Sequence, residues 1–128
     1  MTTPLRRPTE GELAILHVIW DHGPLSVRAI QRILEADKPT GYTTVLKLLQ
    51  IMTAKGLVDR DDSPRPQIYR AHLTRAQTQR QLLRDLTERA FGGSVKTLVL
   101  SALGNRKPTA EELRTLEALL DRHEKEKS

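Results

Sequence analysis

The sequence contains no cysteine and no long run of apolar residues. Without cysteine the chain cannot form a disulfide, a thiolate zinc site, an iron–sulfur cluster or a thiol redox switch, and it suits a reducing compartment. No segment approaches the roughly 18 consecutive apolar residues that a membrane-spanning helix needs, and no apolar stretch follows the two arginines near the amino terminus. We therefore expect a cytoplasmic protein that is neither secreted nor inserted into a membrane.

Patterns typical of catalytic and metal sites are also missing. The histidines form no His-x-x-x-His pair and have neither cysteine partners nor a local acidic cluster, so we expect no metal site. Residues 92–97 superficially resemble a phosphate-binding loop, but the Gly-Lys-Ser/Thr ending is absent and no strand precedes them, so a helix break explains them better. No Gly-x-Ser-x-Gly elbow or plausibly spaced His/Ser/Asp group occurs. We predict a protein that is not an enzyme and needs no cofactor.

The length and net charge of the chain limit the size of its core and indicate the kind of partner it binds. Its 128 residues, 38% of them hydrophobic, suffice for one modest core, or for a compact head with an arm that a partner must cover. Lysine and arginine number 21 against 16 acidic residues, which leaves a net charge of +5. A positive surface attracts polyanions and favours nucleic acid as a partner, although an ordinary solvated surface can have the same composition.

Caps and helix breakers predict two short helices at the start of the chain. Thr9 and Glu12 have the spacing of a capping box, and apolar residues follow at helical intervals to near Asp21. The second helix starts after Ser26. It ends before Lys38-Pro39, because the residue before a proline avoids helical angles.

The third predicted helix, residues 41–55, has two different faces. One face repeats apolar residues at intervals of three and four and must therefore contact a core. These residues are Val45, Leu48, Leu49 and Met52. The opposite face has small or polar side chains that allow close approach to another molecule. These residues are Thr43, Lys47, Gln50 and Ala54.

Two segments of alternating polarity follow the third helix. Residues 57–61 and 67–73 flank a turn-rich stretch, which predicts a β-hairpin with Arg65 at its tip. Three helices and a hairpin within about 65 residues are the order of a winged helix-turn-helix, whose recognition helix enters the major groove of DNA. We predict this domain over residues 1–73, in a mainly α chain whose only β element is the small hairpin.

The recognition helix of such a domain meets base edges with its amino-terminal turn. Thr43 and Thr44 can hydrogen-bond to bases or phosphates, and Lys47 can reach a phosphate or a guanine. Further candidates for DNA contact are Tyr42 through its hydroxyl, Leu46 against a thymine methyl, and Gln50 on the polar face. Alternatively, Thr44 is an internal cap and Tyr42 packs on the first helix.

Arginines in the hairpin are further candidates for contact with DNA. Arg65 lies between two prolines that stiffen the tip, so its guanidinium can meet a phosphate or a narrow minor groove at low entropic cost. A solvated turn is the alternative. We expect Arg60 and Arg70 to contact at most the DNA backbone, because strand pairing can place them against Asp59 and Asp61.

Residues 74–128 are predicted to be purely helical, with breaks at Gly92-Gly93 and at residues 104–108. Each of the three helices has one apolar stripe, and roughly 50 residues rarely close an adequate core alone, so we expect a second copy to cover the stripes. We predict a dimerisation domain over residues 74–128. Its contact residues are Leu82, Leu83, Leu86, Val95, Leu98, Val99, Leu103, Leu113, Leu116, Leu119 and Leu120.

Several segments between residues 9 and 122 resemble, in order and spacing, the penicillinase-repressor (BlaI/MecI) family. These segments are Glu12 to Leu16 through Trp20, Thr43-Thr44-Val45 through Lys55-Gly56-Leu57-Val58, Tyr69-Arg70, and Phe91 to Val99. The Phe-Gly-Gly-Ser run is the most specific of them. The resemblance implies a homodimer that binds inverted-repeat operators and represses genes of beta-lactam resistance or of stress responses.

In that family a membrane-bound sensor metalloprotease relieves repression by cutting the helix after the Gly-Gly break, commonly between Asn and Phe. The corresponding positions here are Ser101 and Ala102, which depart from the family pattern. The resemblance makes them a candidate proteolytic switch and makes the protease a candidate partner, with a beta-lactam as one possible inducer among several. The copper-responsive branch binds metal through carboxy-terminal cysteines, which this chain lacks, so we do not expect metal sensing.

Taken together, these features predict a sequence-specific transcriptional repressor. Its homodimer would place two recognition helices in successive major grooves of a palindromic operator in double-stranded DNA. The alternative is a winged-helix module that binds a partner protein and has no sequence-specific affinity for DNA.

Overall fold

The computed structural model describes residues 7–127, so the first six residues of the predicted DNA-binding domain lie outside the described part. The described residues form six helices and one two-stranded antiparallel hairpin, which confirms the predicted fold class. In chain order the elements are α1 Glu10–His22, α2 Val27–Asp37, α3 Tyr42–Lys55, β1 Val58–Asp61, β2 Ile68–Ala71, α4 Arg75–Ala90, α5 Val95–Asn105 and α6 Ala110–Lys127.

The chain divides into two compact units, one ending at Leu83 and one beginning at Arg84. This division lies within α4, whereas the predicted boundary between residues 73 and 74 lies just before that helix. The predicted boundary between the DNA-binding domain and the dimerisation domain stays a prediction. Within residues 7–127, no helix is both long enough and apolar enough to cross a membrane.

The core of the first unit forms where the apolar stripes of α1, α2 and α3 meet the hairpin. Burying one large aliphatic side chain in such a core contributes roughly 1.5–3 kcal/mol. Leu48 is half-buried and packs at the edge of this core, while the rest of the predicted core face of α3 is fully enclosed. The buried apolar residues are Ile15, Leu16, Val18, Ile19, Val27, Ile30, Val45, Leu49, Met52, Val58 and Tyr69.

The hairpin is anchored to the helices through Tyr69. Strands β1 and β2 pair antiparallel, with Val58 opposite Ala71. The Tyr69 N–H donates to the Leu25 carbonyl at 2.8 Å, and the Leu25 N–H donates to the Tyr69 carbonyl at 3.1 Å. The connection between α1 and α2 therefore pairs with the outer edge of β2. Because the Tyr69 side chain is also buried in the core, the base of the wing cannot move independently of the helices.

A buried ion pair joins the first turn of α1 to the end of α3. The Glu12 side chain is 2% exposed, and its Oε1 accepts a hydrogen bond from Lys55 Nζ at 2.7 Å. The same oxygen accepts the N–H of Thr9 at 2.9 Å, and the Thr9 hydroxyl accepts the N–H of Glu12 at 3.3 Å. The predicted capping box is therefore confirmed, and one carboxylate serves both the cap and the ion pair. A carboxylate this buried stays charged at low cost only when it is paired in this way.

The start of α4 is held against the end of α1. The indole N–H of Trp20 donates to the Leu73 carbonyl at 3.0 Å, and the Arg75 guanidinium carbon lies 5.5 Å from the Trp20 ring centroid. Arg75 also pairs with Asp21, and its hydrogen bond lowers the pKa of the Asp21 carboxyl. A lowered folded-state pKa means that this pair stabilises the protein above the ordinary carboxyl pKa, and that the contribution is lost as pH falls through the lower, folded value.

The second unit has well-capped helices but no enclosed core. The Ser94 hydroxyl caps α5 by accepting the Thr97 N–H at 3.1 Å. Thr109 and Glu112 form a capping box at α6, with hydrogen bonds of 2.9 and 3.1 Å. Among the described residues from Arg84 onward, no apolar side chain is buried. Local capping therefore defines these helices, while their apolar faces lie open in the single chain.

Candidate nucleic-acid interface

Helices α2 and α3 form the helix-turn-helix, and Gln31 holds the turn between them. The Gln31 side chain is 7% exposed. Its Nε2 donates to the Thr40 carbonyl at 3.0 Å and to Glu35 Oε2 at 2.6 Å. A buried amide with both bonds made restricts the backbone that it contacts. Gln31 therefore positions the chain immediately before the candidate recognition helix.

The side of α3 that faces away from the core is accessible. Among the candidates for DNA contact predicted from the sequence, Leu46 is less accessible than the others. It is half-buried and packs against the core, so only part of its side chain could contact a thymine methyl. The Tyr42 side chain is 39% exposed. The fold brings the polar candidates together on one exposed surface, and their contacts with DNA stay predictions. These exposed residues are Tyr42, Thr43, Thr44, Lys47 and Gln50.

Helix α3 begins without a side-chain cap, unlike the other five helices of the described chain. Its N-cap is Gly41, which offers no side-chain hydrogen bond. The N–H groups in the first turn of α3 are therefore available to an acceptor from outside the protein, such as a phosphate or a base. The hydroxyls that cap the other helices belong to Thr9, Ser26, Thr74, Ser94 and Thr109.

At the hairpin tip Arg65 is exposed and has no hydrogen bond or ion pair with any described residue. The two strand arginines are engaged instead. Arg70 pairs with Asp61 at 3.4 Å, the pairing expected from the sequence. Arg60 pairs at 2.8 Å with Asp62, just beyond the end of β1, rather than with a strand carboxylate. Of these three arginines, only Arg65 has a charge that no carboxylate of the described chain offsets.

Arg28 lies beside the start of α3, and sequence analysis did not single it out. Its guanidinium carbon is 4.4 Å from the centroid of the Tyr42 ring, which is within the range of a cation–π contact. Arg28 belongs to the first turn of α2 and is exposed. The one sequence feature that could have indicated it is its spacing from Arg32, because the two residues lie four apart on the side of α2 opposite its apolar stripe.

The cationic side chains of residues 10–83 fall into two groups. One group is paired with carboxylates and consists of Lys55, Arg60, Arg70 and Arg75. The other group has no carboxylate partner among the described residues and consists of Arg28, Arg32, Lys38, Lys47, Arg65 and Arg80. Apart from Arg80 on α4, every member of the second group lies on the helix-turn-helix or at the hairpin tip. Within residues 10–83, positive charge that no carboxylate neutralises therefore lies mostly where a winged helix meets DNA.

One histidine of the first unit lies beside a carboxylate. In the hairpin, His72 Nδ1 lies 3.0 Å from Asp59 Oδ2, and both side chains are about half exposed. Within residues 7–127, no three histidine or acidic residues are placed so that they could hold a metal ion.

Two comparisons relate the chain to known proteins. A family model described as penicillinase repressor matches residues 8–122, which include the whole helix-turn-helix, the hairpin and α5. A protein of Bacillus licheniformis named penicillinase repressor is 21% identical over 119 residues, and the aligned region covers 93% of each chain.

Proposed function

The chain belongs to the penicillinase repressor family, and on this premise we propose that it is a sequence-specific DNA-binding transcriptional repressor. The family is one of regulators rather than enzymes. In this proposal a homodimer in the cytoplasm binds a near-palindromic operator and represses by occlusion. One recognition helix of each copy enters the major groove of a half-site. The regulated genes would be those of beta-lactam resistance or of a stress response.

The distribution of unpaired cations is the observation that carries this proposal. DNA affinity depends largely on cations that replace the counterions of phosphates, and a cation held by an internal carboxylate is poorly suited to that role. Arg32 and Lys38 on the helix-turn-helix and Arg65 at the wing tip have no such internal partner. These elements are the ones through which a winged helix contacts DNA.

The exposed side of α3 supplies the groups that would read the base sequence. Lys47 lies one turn after Thr43 and Thr44, so the three side chains follow one another along the helix surface. Hydroxyl and ammonium groups can bond to base edges in the major groove as well as to phosphates. Gln50 continues the same face by a further turn, and the buried side of α3 is firmly packed. The helix can therefore present these groups without losing its position.

The open apolar faces of the second unit support dimerisation through the arm. In α5, Val95 and Val99 on one side are 63% and 44% exposed, and Leu100 on the other side is 59% exposed. Exposed apolar faces of this kind on a helix are normally covered by other structure. A groove of about 380 Å³ between α5 and α6 is lined in part by Leu103 and Leu116. We propose that a second copy of the arm covers these surfaces.

Most of the predicted contact residues are accessible for such a dimer. The members with large exposed areas are Leu83, Leu86, Val95, Val99, Leu103, Leu113, Leu116, Leu119 and Leu120. Leu82 and Leu98 are half-buried in the single chain. Leu100 was not among the predicted residues, because it lies on the face of α5 opposite the stripe that spacing indicated.

Selection of duplexes from a random-sequence library by the purified full chain tests the proposed function. A sequence-specific homodimer should enrich an inverted repeat whose half-sites lie about one helical turn apart. Binding to the selected duplex should weaken steeply as salt concentration rises. If no sequence is enriched at moderate salt, the repressor proposal fails, and the alternative of a protein-interaction module takes its place.

Replacing Lys47 by alanine should separate base reading from phosphate contact at α3. If Lys47 reads a base, Lys47→Ala should weaken binding to the selected duplex by about 1–3 kcal/mol and affect a random duplex much less. If it contacts a phosphate, both duplexes should weaken alike and the salt dependence should become shallower. Fluorescence anisotropy measures both quantities. Arg80→Ala, which removes an unpaired cation outside the helix-turn-helix, is the matched control. Unchanged affinity in Lys47→Ala would remove this residue from the interface.

We propose, from the family resemblance, that a membrane-bound metalloprotease ends repression by cutting between Ser101 and Ala102. Both residues are exposed on α5. A cut there would separate Val95 and Val99 from the leucines of α6, and so would divide the surface on which we expect the second copy to pack. Mass spectrometry of the repressor from derepressed cells should find a fragment that ends at Ser101. An intact chain in those cells would point instead to release by a ligand.

A further inference from the structure

Arg28 makes a contact that local helix stability does not explain. It lies in the first turn of α2, where the helix dipole disfavours a cation, and that turn contains no acidic residue to offset the charge. Its guanidinium has no carboxylate partner among residues 7–127. The contact that the structure does provide is with the Tyr42 ring, at 4.4 Å from guanidinium carbon to ring centroid.

The Tyr42 ring restricts Arg28 without neutralising it. A carboxylate partner would cancel the positive charge, as Asp21 does for Arg75 and Asp61 does for Arg70. An aromatic face attracts the flat side of the guanidinium and leaves its N–H donors at the rim unused. The side chain is therefore positioned beside the first residue of α3 with its charge and its donors still available.

This position also has a fixed relation to the recognition helix. Tyr42 is the first residue of α3, and the preceding turn is held by the bond from Gln31 to the Thr40 carbonyl. The Arg28 guanidinium therefore lies next to the end of α3 that would enter the groove. At that place the nearest groups of a bound duplex are the phosphates at the edge of the groove.

We propose that Arg28 contacts a DNA backbone phosphate and that the Tyr42 ring is the platform that positions it. This inference rests on the proposed function and extends the interface from α3 and the wing tip to the first turn of α2. It also changes the role of Tyr42, which sequence analysis assigned to a phosphate contact through its hydroxyl. In this proposal the aromatic face of Tyr42 positions Arg28, and the hydroxyl makes no required contact.

Salt titrations of binding to the selected duplex test the phosphate contact. Two Arg28 side chains per dimer should release about two counterions, so Arg28→Ala should make the slope of log affinity against log salt shallower by about 1.8. It should also weaken binding at low salt by about tenfold, to the selected and to random duplexes alike. Arg28→Lys should keep the wild-type slope because it keeps the charge. Arg80→Ala, which removes the same charge elsewhere in the first unit, should change the slope by less than half as much.

Two substitutions of Tyr42 test the platform. Tyr42→Phe keeps the ring and removes the hydroxyl, so affinity and slope should stay close to those of the wild type. Tyr42→Leu removes the aromatic face and should lower affinity by about threefold, in line with the modest strength of an exposed cation–π contact. Tyr42→Leu should have no such effect in the Arg28→Ala background. If Tyr42→Phe loses as much affinity as Tyr42→Leu, the hydroxyl is the contact and the platform is refuted.

The outcomes distinguish this inference from the proposed function. If the wild type selects an operator but Arg28→Ala keeps the wild-type affinity and slope, the repressor stands and the Arg28 contact is overturned. If the wild type selects no sequence, both are overturned. Urea unfolding of each variant confirms that the winged helix is intact. An Arg28→Ala protein that is less stable but binds with the wild-type salt slope counts against the phosphate contact, because a purely structural role would change stability alone.

Discussion

The Leu120→Asp variant is expected to be monomeric under conditions in which the wild type is a dimer, and to bind its operator about 100-fold more weakly. Leu120 is 64% exposed in the single chain, so its replacement removes little packing within the arm. In the proposed dimer the second copy covers this side chain. A carboxylate buried there without a partner would cost several kcal/mol.

The loss of DNA affinity is large because the two half-sites are read by linked copies. Once one copy is bound, the arm holds the second near its half-site, and linkage of this kind raises overall affinity by about 10² to 10⁴ without any new contact. A monomer loses this gain even though its own recognition helix is unchanged. Weakened operator binding should therefore accompany the loss of the dimer.

Ala118→Asp is the matched control for this prediction. Ala118 is an exposed residue of α6 on the side of the helix away from the leucine stripe, and the change introduces the same charge. Analytical ultracentrifugation should show a dimer for Ala118→Asp and a monomer for Leu120→Asp, with anisotropy on the selected duplex following the same order. Dimers of normal affinity in both variants would contradict dimerisation through this face of α6.

The Lys55→Met variant is expected to lose about 3 kcal/mol of unfolding free energy. Methionine keeps most of the length of the lysine side chain and removes the ammonium. Glu12, 2% exposed, would then be a buried carboxylate whose remaining hydrogen-bond donor is the backbone N–H of Thr9. Because burial of an unpaired charge is costly, the loss should exceed that of an ordinary surface substitution several times over.

Two further variants identify the buried charge as the cause. In Glu12→Gln an amide oxygen can still accept the Thr9 N–H, and the Lys55 ammonium, 25% exposed, can turn toward water. The double variant Glu12→Gln/Lys55→Met leaves no charge buried, so it should be more stable than Lys55→Met alone. Lys47→Met, at an exposed position of the same helix, should change stability by about 0.5 kcal/mol or less.

Urea unfolding should be measured at one protein concentration, because the stability of a dimer depends on concentration. A Lys55→Met protein that is as stable as Lys47→Met would show that the ion pair contributes little. A double variant no more stable than Lys55→Met would show that lost packing, rather than the unpaired carboxylate, causes the damage.

The secondary structure could be predicted closely because helix ends are determined by nearby residues. Thr9 and Ser26 cap helices at the predicted positions, through hydrogen bonds to residues three places further along. The differences are confined to the ends of elements. The first helix runs to His22 rather than ending near Asp21, and the strands are shorter than the alternating segments that predicted them.

The candidate interface could be predicted only in part. The exposed face of α3 follows from helical spacing, since the apolar residues that pack on one side determine which residues remain on the other. The contacts that support this face could not be predicted in the same way. Gln31 and Thr40 are nine residues apart, and Glu12 and Lys55 are 43 apart. Pairs at such separations meet only when the helices are packed.

The positions of the helices and the hairpin, and the apolar face of each, follow from local sequence, because capping, helix breaking and periodicity act within a few residues. Which of the helix cations are neutralised, and which remain available, follows only from the packing of the helices. Arg75 and Lys55 form ion pairs with carboxylates. Arg28 contacts an aromatic ring, and Lys47 has no partner in the described chain. Electrostatic pairing depends on distance in space, and packing brings together side chains that lie far apart in the sequence.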